Sequence, residues 1–598
     1  MKNTKKLTIE QTKILKTFVS VALKNKHLPS QLDMKGAGYS RETIRRTFGN
    51  LAGLKSLALK IHSKELEGIK EKTNPAKDKA LNTFIKVFLK KGMTPTLSEL
   101  KEAGLNKEMV KHHFGNLIKL KKEAREKYPQ HFLNTVDESI FTEENLEKTQ
   151  KEIKKYKKFV ITTAVTGMSV HEGFLKSLKL YCKENEAKLL ILPTTDPAAT
   201  AGFELDSRLA GESVVVQDTD LNSNIYISTF KTSAKQINTL TGLKRMGKRE
   251  KSTIVAGTKF FLEFVPIAND STVHALMTTA SCTLPEYQTE RYMSQRTAFI
   301  AQMDHKIGAI VVEIENDKIF HFRQIQASAN GSFFDNNKHY NGKITQTRAD
   351  SMTLGDIHVG FTSKDVMKAN DEQIAFFKPK VVFNHDLFDG TSVSHHIAHS
   401  FLTKAGFTPD QLSLEQELRM VKDYLEGMKK KHPYVEEWVI VRSNHDDFID
   451  RYLESGRYVE DSINSLIAHR IAIKKLEGET IGLRAGLELV ETDLSKITFL
   501  GINDSYKISG IENGVHGHLG LNGQRNPGNS SLEIAYGAIT AGHSHSAGIL
   551  RDVFRTGTCT DKRIGYNNGA SSWTNTNCVQ YPGGARQLIN TINGKWKA

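Results

Sequence analysis

Two textures of hydrophobic patterning divide the chain. Over the first 130 residues apolar positions recur at helical spacing: Leu15, Phe18, Val19, Ala22 and Leu23 fall on one face of a helix that Pro29 ends. A second short helix follows, Ala37-Gly38 makes a turn, and Ser40 caps a third helix. The pattern then repeats. Residues 12–58 align without a gap onto 78–124 at a constant offset of 66, pairing Lys13/Lys79, Phe18/Phe84, Pro29/Pro95, Ala37/Ala103, Gly38/Gly104 and Glu42/Glu108. Phe48-Gly49-Asn50-Leu51 recurs as Phe114-Gly115-Asn116-Leu117, and Asn106 takes the place of Ser40. From Phe159 onward the apolar residues come in short β-like runs. Phe159–Val165, the helix-like Glu172–Asn185 and Leu189–Leu192 predict a β-α-β start. Further strand candidates at 214–216, 225–230, 260–265, 307–314 and 319–325 alternate with polar loops, with a hairpin turn at Glu315–Lys318.

This pattern predicts an α/β protein with an all-α duplicated N-terminal region and five segments: repeats at 1–68 and 69–136, a charged helical linker at 137–158, a mixed α/β scaffold at 159–349, and a last region at 350–598. In the scaffold His171, Asp196, Asp206 and His305 are scattered and form no site by spacing.

Composition adds direction. The 598 residues hold 83 Lys+Arg against 67 Asp+Glu, a formal +16. Residues 1–158 contain 35 of the basic and 18 of the acidic side chains, so +17 lies there and the other 440 residues are near neutral. On the third helix of each repeat the cations are Arg41, Arg45 and Arg46, then Lys107 and Lys111 beside His112 and His113. A helix-turn-helix with a basic third helix suits phosphates and base edges. No apolar run is long enough to span a membrane, and the basic start lacks an apolar signal core, so a cytoplasmic protein is expected. Cys182, Cys282, Cys559 and Cys578 form no close pair, which excludes a disulfide scaffold or zinc ribbon and predicts inert thiols.

The chemistry is concentrated after residue 350. Asp356 and His358 lie two apart after a β-like run, a spacing that points both to one side. Val381–Phe383 leads into Asn384-His385-Asp386 and Asp389, and Trp438–Val441 leads into Asn444-His445-Asp446. His516-Gly517-His518 and Gly542-His543-Ser544-His545 add glycine-flanked histidines. Together these form a mixed nitrogen and oxygen donor set that suits manganese, iron or zinc better than calcium or magnesium.

In order and type the five motifs resemble those of the calcineurin-like metallophosphoesterases, in particular the branch of SbcD-type repair nucleases and related phage DNases. The resemblance covers about residues 350–584 and implies two packed β-sheets flanked by helices, an α+β sandwich. It implies two divalent ions, manganese first, with iron and zinc as alternatives. Asp386 would bridge them, with Asp356, His358 and His545 on one and Asn444, His516 and His543 on the other. His445 would be the acid for the leaving group, oriented by Asp389. Two positions depart from the family: His385 stands where the family has glycine, and Ser443 replaces the glycine before Asn444. His385 is thereby a candidate ligand or substrate contact, and His518 is an alternative to His516. His395, His396 and His399 follow the second motif, and Arg555–Thr558, Tyr566 and Trp573 are expected to border the cleft. The N-terminal repeats resemble the helix-turn-helix repeats attached to homing endonucleases, over roughly 28–58 and 94–124.

The expectation is a metal-dependent DNase that hydrolyses phosphodiester bonds at a dinuclear centre. It would act on DNA, with no membrane partner, as a homo-oligomer, in the bacterial host's cytoplasm if phage-encoded. The alternatives are a phosphatase or small-molecule phosphodiesterase with a docking module, and a DNA-binding regulator with a degenerate phosphoesterase body.

Overall fold

A computed structural model describes residues 7–71, 74–195, 203–230, 232–246, 250–268, 273–287, 295–398, 406–564 and 567–598. The chain forms two compact units, one of residues 1–90 with 95–131 and the other of 91–94 with 132–598.

In the first unit the internal repeat becomes a repeated set of four helices. Ile9–Asn25, Gln31–Gly36, Arg41–Phe48 and Leu51–Ile61 are followed by Pro75–Lys91, Leu97–Glu102, Lys107–Phe114 and Leu117–Lys127, with equal lengths in the two copies. Local capping explains the boundaries. Ser30 with Asp33, and Thr96 with Glu99, close capping boxes on the second helix of each copy. Ser40 accepts from Thr43 N and Asn106 from Met109 N, capping the third helices. The Phe-Gly-Asn-Leu run does more than end a helix. Gly49 (φ 76°) and Gly115 (φ 85°) take a positive φ that glycine adopts without a Cβ penalty. Asn50 and Asn116 then cap a fourth helix, which the sequence pattern did not predict. Ile14, Leu15, Phe18, Val19, Ala22, Ile44 and Leu54 form the buried core of the first copy.

The second unit is built on three larger sheets. A six-stranded sheet runs Ile497–Phe499, Glu437–Ile440, Val381–Asn384, Ser351–Thr353, Asn575–Gln580, Arg586–Thr591, the first four parallel and the last two antiparallel to their neighbours. Its central strands Val381–Asn384 and Glu437–Ile440 are near-continuous apolar runs, as strands covered on both faces require, whereas Asn575–Gln580 and Arg586–Thr591 bury polar side chains. Met352, Val382, Trp438 and Ile440 pack on one side with Ile374, Phe377, Leu418, Val421 and Leu425 of helices Lys364–Phe377 and Leu414–Lys431. Phe383, Val439 and Val441 form a separate cluster with Leu500.

A ten-stranded sheet joins distant parts of the chain. Residues 219–278 supply five of its strands and 507–555 the other five, the two sets meeting where Phe261–Val265 pairs antiparallel with Gly548–Leu550. The regions expected as scaffold (159–349) and as the last segment (350–598) are thus hydrogen-bonded into one sheet. A five-stranded sheet holds the β-α-β start, with Lys158–Val165 parallel to Lys188–Thr194 and helix Glu172–Glu184 between them. Phe159, Ile161, Ile310 and Val312 of this sheet share a core with Ile254, Leu262, Met277 and Ile549 of the ten-stranded one. The expected linker contains helix Glu143–Ile153, whose Ile153 is buried in that same core.

The scattered polar residues of 159–349 do structural work. His171 caps helix Glu172–Glu184, Asp206 accepts from Val170 N and pairs with Arg208, and His305 lies buried between Tyr287 Oη and Thr283 O. Asp196 lies outside the described residues. None of the four cysteines is in a disulfide, and burial pushes their thiols up to about 12 at Cys182, Cys282, Cys559 and Cys578, which leaves them protonated and unreactive. No described helix is long and apolar enough to cross a membrane.

Candidate metal centre

The carboxyl ends of the parallel strands of the six-stranded sheet converge. Ser351–Thr353 leads to Asp356 and His358, Val381–Asn384 to His385, Asp386 and Asp389, and Glu437–Ile440 to Asn444 and His445. Ile539–Ala541, in the ten-stranded sheet, leads to His543 and His545. Backbone bonds fix the loops against one another: Ile357 N to His385 O (3.0 Å), His358 N to Asp386 O (2.7 Å) and Gly542 N to His516 O (2.9 Å). Gly542 has a steric reason to be glycine, because a Cβ there would stand 2.2 Å from Asp356 Oδ1.

Backbone strain is concentrated here. His358 (φ 51°), Asp386 (φ 42°), His543 (φ 71°) and His545 (φ 52°) all occupy the left-handed region that non-glycine residues avoid. Each such residue costs on the order of 1 kcal/mol or more and persists only where its surroundings over-determine it.

The side chains form one buried cluster. Asp356, His358 and Asp386 are at most 1% exposed, His516 2% and His545 6%. Asp386 belongs to two groups whose donor atoms lie within 4.8 Å of one another, one with Asp356, His358 and His545, the other with His516 and His543. His358 Nε2 and His545 Nε2 are 3.2 Å apart, His545 Nε2 is 3.1 Å from Asp356 Oδ2, and His516 Nε2 is 3.3 Å from Asp386 Oδ2. His385 joins Asp356 and His516 in a further group, its Nδ1 3.2 Å from His516 Nδ1. His516, rather than His518, is grouped with Asp386; with Gly517 (φ 101°) between them, His518 instead lines the adjoining cavity.

The polar atoms here are not satisfied by the protein. Both oxygens of Asp356, Oδ1 of Asp386 and of Asn444, Nε2 of His385 and His516, and Nδ1 of His518 and His545 are buried without a hydrogen-bond partner. Buried polar groups are ordinarily paired, and leaving one unpaired costs about 1–3 kcal/mol. Burial holds the His385, His543 and His545 imidazoles down at about 4 and drives His516 well below its ordinary value. All four are therefore neutral near pH 7, with lone pairs free to donate. Burial raises Asp386, but His516, His445 and His358 outweigh it and hold the carboxylate ionised. Neutral imidazoles, an ionised carboxylate and orphaned oxygens fit one or more divalent cations.

His445 differs from the other histidines. Burial lowers it, yet Asp386, Asp389 and the Asp389 carbonyl raise it above the ordinary imidazole value. Its Nδ1 donates to Asp389 O at 2.6 Å and lies 3.9 Å from Asp389 Oδ1. Asp389 also accepts from His358 Nδ1 (3.0 Å) and from Thr391 Oγ1.

A cavity of about 1080 Å³ opens beside the cluster, lined by Asn444, His445, His518, His543, Asp389 and Phe448 among others. His395 and His396 stand on its wall; His399 and Tyr566 lie outside the described residues. Trp573 packs edge-on to His545 with ring centres 4.2 Å apart. Arg555 is buried and donates to Gly542 O and Pro527 O, bracing the His543 loop.

Supporting residues carry little signal in the sequence. Glu417 is buried and accepts from the Gly390, Thr391 and Ser392 amides and from Ser392 Oγ, pinning the loop behind Asp389. Its one mark is that it is a glutamate on the apolar face of a helix whose neighbours are Leu414, Leu418 and Val421. Asp446 accepts from Phe388 N and from Ser443 Oγ, so the departure to serine at 443 closes the Asn-His-Asp loop. Asn526 Oδ1 lies 2.7 Å from His543 Nε2, and nothing local marks it.

In the N-terminal unit Arg41, Arg45, Lys107 and Lys111 are exposed on the third helices. Arg46 is exposed too, but its guanidinium is paired with Glu10 at 2.9 Å.

No family model and no solved structure matches the chain. It is similar to Protein A1 of Escherichia phage T5, 29% identical over 486 residues that make up 75% of this chain and 84% of that protein.

Proposed function

We propose that the protein is a metal-dependent phosphodiesterase acting on DNA, of the calcineurin-like metallophosphoesterase type and of phage origin. The observation that carries this is the convergence of Asp356, His358, Asp386, His516, His543 and His545, from well-separated segments, into one buried cluster with orphaned donor atoms. Asp356, His358, Asp386 and His545 would hold one ion, and Asp386, Asn444, His516 and His543 a second, with manganese the first choice. Two such ions, when bound, polarise a phosphoryl oxygen and stabilise the charge that develops on attacking and leaving oxygens.

The chain's own residues supply the rest. Asp386 and Asp389 raise His445 above the ordinary imidazole value against the lowering by burial, and it lines the cavity, so it would protonate the leaving oxygen. Asp389 holds the ring through its carbonyl. The strained backbone at His358, Asp386, His543 and His545 keeps donors in place before substrate arrives.

Substrate choice rests on the basic N-terminal unit, whose exposed Arg41, Arg45, Lys107 and Lys111 suit a polyanion. The similarity to a phage protein supports the phage origin. A small-molecule phosphodiesterase is the second reading, favoured by a cavity of about 1080 Å³. Purified protein would be assayed on supercoiled, linear and single-stranded DNA and on bis(p-nitrophenyl) phosphate, with manganese, magnesium or EDTA. Cleavage of DNA that EDTA abolishes supports the proposal. Hydrolysis of the small diester alone favours the second reading, and activity in EDTA overturns both.

A further inference from the structure

The cavity beside the metal cluster has a wall that hydrolysis of a phosphate does not require. His445 packs on Phe448 with ring centres 4.8 Å apart, and Phe448 continues to His395 (5.5 Å) and His396 (6.3 Å). His395 and His396 lie 3.9 Å from each other and are exposed to the cavity. Both histidines meet Phe448 edge-on, at 85° and 68°, so a chain of touching aromatic rings leads outward from His445 and ends in the exposed pair His395 and His396. Arg451 and Arg525 stand on the same cavity. Neither guanidinium is hydrogen-bonded or ion-paired to a described side chain. Burial together with His396, Arg451 and Arg457 holds His395 below its ordinary value, so its ring is neutral and suited to stacking.

We infer that this wall is a nucleotide subsite: the base of an unpaired nucleotide stacks on His395 and His396, and its outer phosphate meets Arg451 and Arg525. The inference rests on the phosphoester reading of the cavity and narrows it. The metal cluster is buried, so the scissile phosphate must enter the cavity to reach it. A base inside a duplex has both faces taken by its neighbours, whereas one drawn out of the stack offers a face to aromatic side chains. Stacking of this kind is tolerant of base identity and, with arginine on the backbone, is how single strands are held. The enzyme is therefore selective for single-stranded or frayed DNA over the interior of a duplex, with little sequence preference.

Binding to the full-length, manganese-loaded chain is the test, using inorganic phosphate and deoxyadenosine 5′-monophosphate as probes in calorimetry. The nucleotide is expected to bind roughly tenfold more tightly than phosphate, the size of one base stack. H395A/H396A should collapse that ratio towards one. R451A and R525A, which act on the phosphate that both probes carry, should weaken both and so leave most of the ratio in place. Equal affinity of the two probes in the parent protein overturns the subsite, as does a ratio that survives in a folded H395A/H396A protein. Single-stranded oligonucleotide should be cleaved faster than a blunt duplex of the same sequence, and faster cleavage of the duplex interior overturns the selectivity. Nucleotide binding with the expected ratio but no cleavage of any DNA supports the subsite and fails the nuclease reading, so the two are told apart.

Discussion

Two buried polar networks in the second unit, each built around an aspartate, differ in whether the chain completes them. Around Asp335 every partner is protein: Arg323 binds both carboxylate oxygens, Tyr181 Oη donates to Oδ2 at 2.8 Å and Gln587 Nε2 to Oδ1 at 2.9 Å. Around Asp386 the neighbours are Asp356 and the imidazoles of His358, His516, His543 and His545, and Oδ1 has no hydrogen-bond partner. The first network ties strand Phe333–Asp335 to strand Arg586–Thr591. The second leaves donor atoms unpaired and stands on strained backbone. A closed network is a fastening, and an open one is a place for a ligand.

The largest expected effect separates the two directly. Asp386→Ala should reduce phosphodiester hydrolysis by on the order of 10³-fold or more, through weakened charge stabilisation. Bound metal should fall in mass spectrometry, and the manganese-induced rise in melting temperature should shrink. The metal-free variant should melt no lower than the metal-free parent. A folded Asp386→Ala protein with full activity would break the assignment.

His445→Asn is next. It should cost about 10²-fold in rate on DNA while bound metal is unchanged, because His445 donates a proton rather than a lone pair. The loss should be smaller on bis(p-nitrophenyl) phosphate, whose leaving group needs no proton. Equal losses on both substrates, or loss of metal, count against the role.

The closed network predicts the opposite signature. Asp335→Ala takes from the buried Arg323 one of its two carboxylate partners, leaving Glu313 at 2.6 Å, and should cost about 1–3 kcal/mol in urea melts, with little change in metal content. Burial raises Asp335, but Arg323, Gln587 and Tyr181 outweigh it and hold the carboxyl below its ordinary value. A depressed folded value means its contribution is complete above the unfolded value of about 3.9 and is lost as pH falls through the folded one. Acid melts below pH 4 should therefore be less steep for Asp335→Ala than for the parent.

The smallest effect tests the N-terminal unit, which has neither network. Replacing Arg41, Arg45, Lys107 and Lys111 with alanine should flatten the slope of log affinity for DNA against log salt by roughly 3 to 4, about 0.9 for each phosphate left without its cation. Arg46→Ala alone should change the slope least, because Arg46 is paired with Glu10. Coincident slopes would assign the unit to binding a protein instead.

The features readable from the residues alone are local. The repeat, the capping residues of its helices, the strand before each Asp/His motif and the identity of Asp356, His358, Asp386, His543 and His545 as candidate ligands were all legible. Each depends on residues within a few positions of one another, on a helix or strand period, or on an ordered set of motifs. Tertiary structure decided the rest. Glycine geometry and depth set His516 against His518, and a histidine at 385 enters the cluster because its strand lies beside the one that carries Asp356. Glu417, Asp446 and Asn526 act through partners that only folding brings near, as Glu417 does across 27 residues to the Gly390 amide. The pairing of 261–265 with 548–550 joins segments nearly 300 residues apart, and apolar alternation carries no information about which strand will lie alongside. Strain follows the same rule: nothing in the letters His358 or Asp386 announces a left-handed backbone, because it is imposed by the neighbouring loops to which their amides and carbonyls bond.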